Sequence, residues 1–120
     1  MKIKEIIEIV NAKVLTEFCN EEKEFEYAFA SDLMSDVLAY ANDETLLITG
    51  LSNPQVIRTA EIMDISAVLF VRGKVPNSDI IDLAVENSLT ILATDNIMFE
   101  TCGLLYKNGM KGNRKWQTTY

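Results

Sequence analysis

The chain has 120 residues with 18 acidic and 11 basic side chains, a net charge of −7 and a pI near 4.5. That balance excludes the basic stripe a nucleic-acid surface needs for counterion release. A hydrophobic share of 48% with 24% charged residues fits one globular domain, not a disordered chain or one with membrane spans of about 20 apolar residues. Histidine is absent, which removes Ser-His-Asp and Cys-His nucleophilic arrangements together with the usual zinc ligands.

The first eight residues are charged throughout and contain no signal-peptide apolar region, so a cytoplasmic protein is expected. Ile3, Ile6, Ile7 and Val10 fall on one helical face and predict an amphipathic helix over 2–11. Residues 13–18 form a short strand candidate and 19–24 a polar, acidic turn. Phe25, Tyr27 and Phe29 alternate with Glu26, Ala28 and Ala30, the period of a half-buried strand and a surface that could pair across a two-fold axis. Helical spacing returns at Leu33, Met34, Val37 and Leu38, with Ser31 or Asp32 as N-cap. Asp32 and Asp36, four apart, read as solvent-facing acids and not as a metal pair.

Three strand-to-helix units follow. Residues 45–49 are a continuous apolar run, as in a parallel strand covered on both faces; Gly50 permits the turn, and Asn53-Pro54 supplies an N-cap followed by proline at the first helical position. Residues 66–71 form the next strand, closed by Arg72-Gly73-Lys74, with Asn77 or Ser78 capping the following helix. Residues 89–93 form the third, and Thr94, Asp95 or Asn96 is expected to cap a last helix through Phe99, Cys102 and Leu105 that ends near Asn108-Gly109. Strands alternating with helices in this way predict an α/β fold: a single, three-layer-like domain over 1–110 with a mostly parallel sheet of βαβ units and helices on its faces.

Lys107, Lys111, Arg114 and Lys115 crowd the last 14 residues, where no acid occurs. Residues 111–120 are therefore read as a basic C-terminal tail, either a solvated or partner-packed terminus or a contact for an acidic partner or RNA. Cys19 and Cys102 have no CxxC context, so neither a metal site nor a disulfide is expected.

Ligands of an open parallel sheet gather outside the strands' carboxyl ends. There the loops 50–53, 72–78 and 94–96 each feed a helix whose first-turn amides favour anions. Between Glu24 and Tyr106 the basic residues are Arg58, Arg72 and Lys74. In an acidic chain, their gathering beside helix N-termini points to a phosphate or carboxylate pocket built from Gly50, Ser52, Asn53, Arg58, Arg72, Gly73, Lys74, Thr94 and Asp95. The alternative is that Arg58 pairs with surface acids while Arg72 and Lys74 solvate a loop. Asp95 could take a ribose hydroxyl or a metal, or act as an N-cap. No P-loop, G-x-G-x-x-G or G-x-S-x-G motif is present. No catalytic residue, cofactor or metal is assigned, and no enzyme activity is expected.

The segments Ser31 to Ala39, Leu46 to Arg58, Val71 to Pro76 and Met98 to Gly103 resemble a DRTGG domain, most closely its stand-alone single-domain form, over most of residues 2–110. Where that family has Asp-Arg-Ser/Thr this chain has Ser52-Asn53-Pro54, and where it has Gly-Gly this chain has Arg72-Gly73. Any ligand contact of the Asp-Arg pair is thus altered or gone, and Arg72 carries positive charge to the second loop. The resemblance implies a non-catalytic α/β module, often a homodimer, similar to the N-terminal domain of HPr kinase and to the DRTGG domains of phosphotransacetylases and CBS-type pyrophosphatases. Its expected role is regulatory, through an anionic metabolite such as an adenine nucleotide. The competing role is a protein-interaction or dimerisation module without a ligand, which the resemblance of stand-alone members to proteins encoded near iron-only hydrogenase genes ties to redox regulation.

Overall fold

The computed structural model describes residues 1–113. In chain order the elements are α1 (Ile3–Val10), β1 (Lys13–Val14), β2 (Tyr27–Ala30), α2 (Met34–Tyr40), β3 (Thr45–Thr49), α3 (Pro54–Ile62), β4 (Ala67–Phe70), α4 (Ser78–Glu86), β5 (Thr90–Ala93), α5 (Met98–Lys107) and β6 (Lys111–Gly112). The strands form one six-stranded sheet in the order β1-β5-β4-β3-β2-β6, parallel except for β1, which runs antiparallel to β5. The expected α/β architecture is observed.

From β2 to β5 each new strand is added on the same side of the last. Right-handed crossovers must then place α2, α3 and α4 on one face. The connection from β5 to β6 runs back across the sheet, and the same handedness puts α5 on the other face, beside α1. Both faces are therefore covered, which is why every residue of β3, β4 and β5 is buried and no polar alternation is seen in them. Successive side chains go to opposite layers. Leu47, Val68, Phe70 and Ile91 pack with Val37, Val56, Ile57 and Ala84 of α2–α4. Leu46, Ile48, Leu69 and Leu92 pack with Ile3, Ile6 and Val10 of α1 and Leu105 of α5.

Local chemistry fixes the helix ends unevenly. Asn53 and Asn77 cap α3 and α4 as expected, their side-chain oxygens accepting from the amides of Gln55 at 2.9 Å and Ile80 at 3.1 Å. The caps expected for α2 and α5 are not formed. Leu33 and Ile97 stand at those N-caps without side-chain bonds, because Asp32, Thr94 and Asn96 are engaged elsewhere. The expected 13–18 strand pairs as a ladder over Lys13–Val14 alone, extended by the Leu15 amide to the Ile91 carbonyl at 2.8 Å. Phe25 is buried at 1% exposure in the α1–α5 layer, so it is not free to pair with a second chain, and Phe29 stacks on Tyr40. Lys111 and Gly112, assigned by charge to the tail, pair with Tyr27 and Ala28 as β6; Arg114 and Lys115 lie outside the described residues.

At the amino end of the sheet, Glu22 accepts from Lys2 at 2.8 Å and from Lys4 at 2.9 Å, tying the 20–24 turn to the start of α1. The hydrogen bonds to Lys2 and then Lys4, followed by their charges, lower the Glu22 pKa from 4.5 to about 2. A carboxyl with a depressed folded-state pKa stabilises the fold above its unfolded pKa, and that contribution is lost as pH falls through the folded value. In urea titrations, wild type is expected to exceed Glu22→Gln in stability above pH 4.5, the gap closing as the pH approaches about 2. Both partners are exposed, so the gap is expected to be small and to shrink further in high salt.

Candidate functional site

Four strand-to-helix loops meet at the carboxyl edge, one each after β2, β3, β4 and β5. The loop after β4 makes the tightest turn. Lys74 donates its amide to the Val71 carbonyl at 3.1 Å, and both central residues have positive φ, 61° at Arg72 and 66° at Gly73. Such a turn favours glycine, because an L side chain in the left-handed region is strained by roughly 1–2 kcal/mol. Gly73 fits without strain; Arg72 does not. The turn is nevertheless locked by the neighbouring loop: the Arg72 amide donates to the Asn96 carbonyl at 2.8 Å and the Gly73 amide to the Thr94 carbonyl at 3.0 Å.

Held in that conformation, Arg72 reaches back across the sheet edge. Its Nη2 donates to the Gly50 carbonyl at 3.3 Å, and a Cβ on Gly50 would overlap Nη2 and lie 2.9 Å from Nε. Gly50 thus serves a close side-chain approach as well as a turn. On its other side the Gly50 amide donates to Asp32 Oδ1 at 2.7 Å, and the same oxygen accepts from Thr49 Oγ1 at 3.1 Å. Asp32 from the β2 loop and Arg72 from the β4 loop therefore brace one residue of the β3 loop from opposite sides.

The structure brings Gly50, Arg72, Gly73, Lys74, Thr94 and Asp95 to one edge, with Asp95 Oδ1 3.4 Å from where a Gly73 Cβ would stand. Ser52 is half-buried in the same loop as Gly50, while Asn53 is occupied as the α3 cap. Thr94 is 3% exposed and structural, donating to the Val10 carbonyl at 2.7 Å. Arg58 lies instead in a groove of about 370 Å³ between α3 and α4 that it shares with Asp79, Asp82 and Glu86, carboxylates that compete with any anion. Among the described residues the ion pairs are those of Lys2 and Lys4 with Glu22, so Arg72 and Lys74 face solvent without a carboxylate partner.

Two expectations about this edge change. The first-turn amides were to supply the anion site, but Asn53 and Asn77 already accept from α3 and α4, and the Arg72 and Gly73 amides are given to the β5 loop. Beside the first turns of α2 and α5, which no side chain caps, the positive charge at this edge is that of Arg72 and Lys74. Asp32, expected as a cap or a surface acid, instead braces the β3 loop through Thr49 and Gly50. The signal was present, since 25–40 is itself a strand followed by a helix and had to contribute a fourth loop to the edge. Exposed apolar side chains stand on these loops, Leu33 at 58%, Val75 at 62% and Ile97 at 53%. Among the described residues no group of three or more acids or cysteines is arranged to hold a metal ion. Burial raises the thiol pKa of Cys102, and burial followed by the Glu21 charge raises that of Cys19, which suits packing and not nucleophilic use. Among the described residues no helix is long and apolar enough to cross a membrane.

The DRTGG domain profile matches residues 5–107. The chain belongs to the DRTGG domain family. The crystal structure of the CBS and DRTGG domains of the regulatory region of Clostridium perfringens pyrophosphatase, complexed with activator, diadenosine tetraphosphate, is similar to this DRTGG domain with a TM-score of 0.72 at 18% identity, covering 87% of this chain and 45% of that one. At that identity the likeness carries the fold alone, and this chain spans less than half the length of its neighbour. No curated protein matches it in sequence.

Two consecutive left-handed residues are what this turn demands, and Arg72 occupies the first of them. Replacing Arg72 by glycine relieves about 1–2 kcal/mol of strain and gives back about 0.4–1 kcal/mol through the freer unfolded chain. Arg72→Gly and Arg72→Ala both give up the Gly50 contact, worth about 0.5–1 kcal/mol. Arg72→Ala, which keeps the strain, is therefore expected to lose that amount. Arg72→Gly is expected to stay within about 1 kcal/mol of wild type and to be no less stable than Arg72→Ala. Urea denaturation of the two variants checks the pair.

Proposed function

We propose that the chain is a non-catalytic regulatory module, acting as a cytoplasmic homodimer, whose carboxyl edge binds an anionic metabolite, an adenine nucleotide first among them. The observation that carries this reading is Arg72. A strained left-handed conformation at a loop tip persists where function uses it, and here it holds an exposed guanidinium beside Lys74, over Gly50, and among the described residues neither cation forms an ion pair with a carboxylate. Phosphate oxygens match a guanidinium fork. The exposed Leu33, Val75 and Ile97 offer apolar surface to a purine, as ligand sites commonly combine an apolar lining with a few placed polar groups. The binding of diadenosine tetraphosphate by the pyrophosphatase regulatory region supports the ligand class.

Thermal denaturation with ATP, AMP, diadenosine tetraphosphate, acetyl phosphate and inorganic phosphate tests this. Ligand at about 100 times its dissociation constant stabilises the fold by about 2.7 kcal/mol, a midpoint shift of several degrees in a domain of this size. A shift with an adenine nucleotide that is lost in the Arg72→Gly, Lys74→Ala double variant is expected. A flat response to every compound overturns the reading, as does a shift the double variant retains.

A further inference from the structure

We propose that the outer face of α5 is the homodimer interface, two copies meeting with their α5 helices antiparallel and crossing at Gly103. This locates the dimer of the reading above and does not depend on its ligand.

Gly103 is a helical glycine that no contact among the described residues explains. Thr101 and Leu105 are the buried side chains of α5, and at about 100° per residue Gly103 sits at the middle of the opposite, outward face. A Cβ there would meet nothing within 4 Å. Glycine inside a helix is second only to proline as a helix breaker, and nothing among the described residues requires it. A glycine at the centre of an exposed helical face does permit another backbone to approach closely.

The flanks of Gly103 are asymmetric in a way that is self-complementary. Phe99, 84% exposed, and Tyr106, 66% exposed, lie one behind the other on one flank. Glu100 and Lys107, both exposed, lie on the other. A two-fold axis that sets two helices antiparallel and face to face keeps each flank against its own copy with the order reversed. Glu100 then faces Lys107 of the second copy, and Phe99 faces its Tyr106, each twice. A parallel pairing would set aromatic rings against charges.

A pocket completes the fit. Beside Tyr106, between α5 and the sheet, lies an apolar cavity of about 130 Å³ lined by Ala28, Ala30, Ile48, Cys102, Leu105 and Tyr106. That is close to the volume of about 150 Å³ known to hold a benzene ring. The antiparallel pairing brings Phe99 of the second copy to its mouth, one exposed ring for one pocket on each side. A helix of ten residues is about 15 Å long, so two such faces make a small contact that suits a weak, concentration-dependent dimer.

Sedimentation equilibrium of the full chain between about 5 and 500 µM reads the assembly. A monomer–dimer equilibrium is expected, with Phe99→Ala and Glu100→Lys each weakening it at least about tenfold. Glu100→Lys combined with Lys107→Glu is expected to return the affinity to within about threefold of wild type. Gly103→Ala is expected to weaken the dimer while raising the thermal midpoint of the dilute monomer by about 4 °C, a combination that a folding defect cannot produce. Trp116→Ala is expected to leave the dimer unchanged; its loss would give the pocket to the chain's own terminus and overturn the proposal. A dimer indifferent to Phe99→Ala and Glu100→Lys, or a double charge swap without recovery, also overturns it and leaves the dimeric reading standing. A monomer at every concentration overturns both.

Discussion

A right-twisted parallel sheet accepts crossover helices on one face only while its strands are added in one direction. That constraint organises the whole molecule. The steps from β2 to β5 commit α2, α3 and α4 to one side. The reversal toward β6 then carries α5 to the other side, where α1 already covers the strands. Two consequences reach the function directly. All the strand-to-helix loops from β2 to β5 open at the same edge, and the chain changes face between β4 and β5, the place in such sheets where ligands lodge. The loops on either side of that switch are the ones that hold Arg72 and Asp95.

The switch is unusual in being closed by backbone. The amides of Arg72 and Gly73 both donate to the β5 loop, which consumes donors that a glycine-rich loop would offer an anion. What remains is a side-chain cation displayed by a turn shaped for glycine. The brace on Gly50, with Asp32 on its amide and Arg72 on its carbonyl, couples three loops, so that a change at any one of them moves the guanidinium.

Much of this was legible in the chain because its strands are covered on both faces and flanked by strong helix starts. The apolar run from Leu46 to Ile48, the Asn53-Pro54 start and the cap at Asn77 each declare an element through local chemistry alone. The elements that escaped have no local signature. Lys111-Gly112 joins the sheet through backbone pairing with no apolar pattern, and so reads as tail. β1 stops at Val14 because Leu15 and Thr16 continue toward β5 by single hydrogen bonds without laddering. At the site, charge and the position of the loops were readable. The left-handed Arg72 was not, since φ leaves no mark on composition, and neither was the role of Asp32, which depends on β2 and β3 being parallel neighbours.

The first helix is secured by the last third of the chain. The Val10 carbonyl at the end of α1 accepts from Thr94 Oγ1 and from Asn96 Nδ2, and the strand that follows α1 pairs with β5. During synthesis, at roughly 5–20 residues per second, the Val10 carbonyl waits for β5 and its loop to emerge before it gains these bonds. The carboxyl end of α1 is thus fastened by residues 84 and 86 positions further along the chain, so that loosening the β5 loop would release the first helix as well as the site.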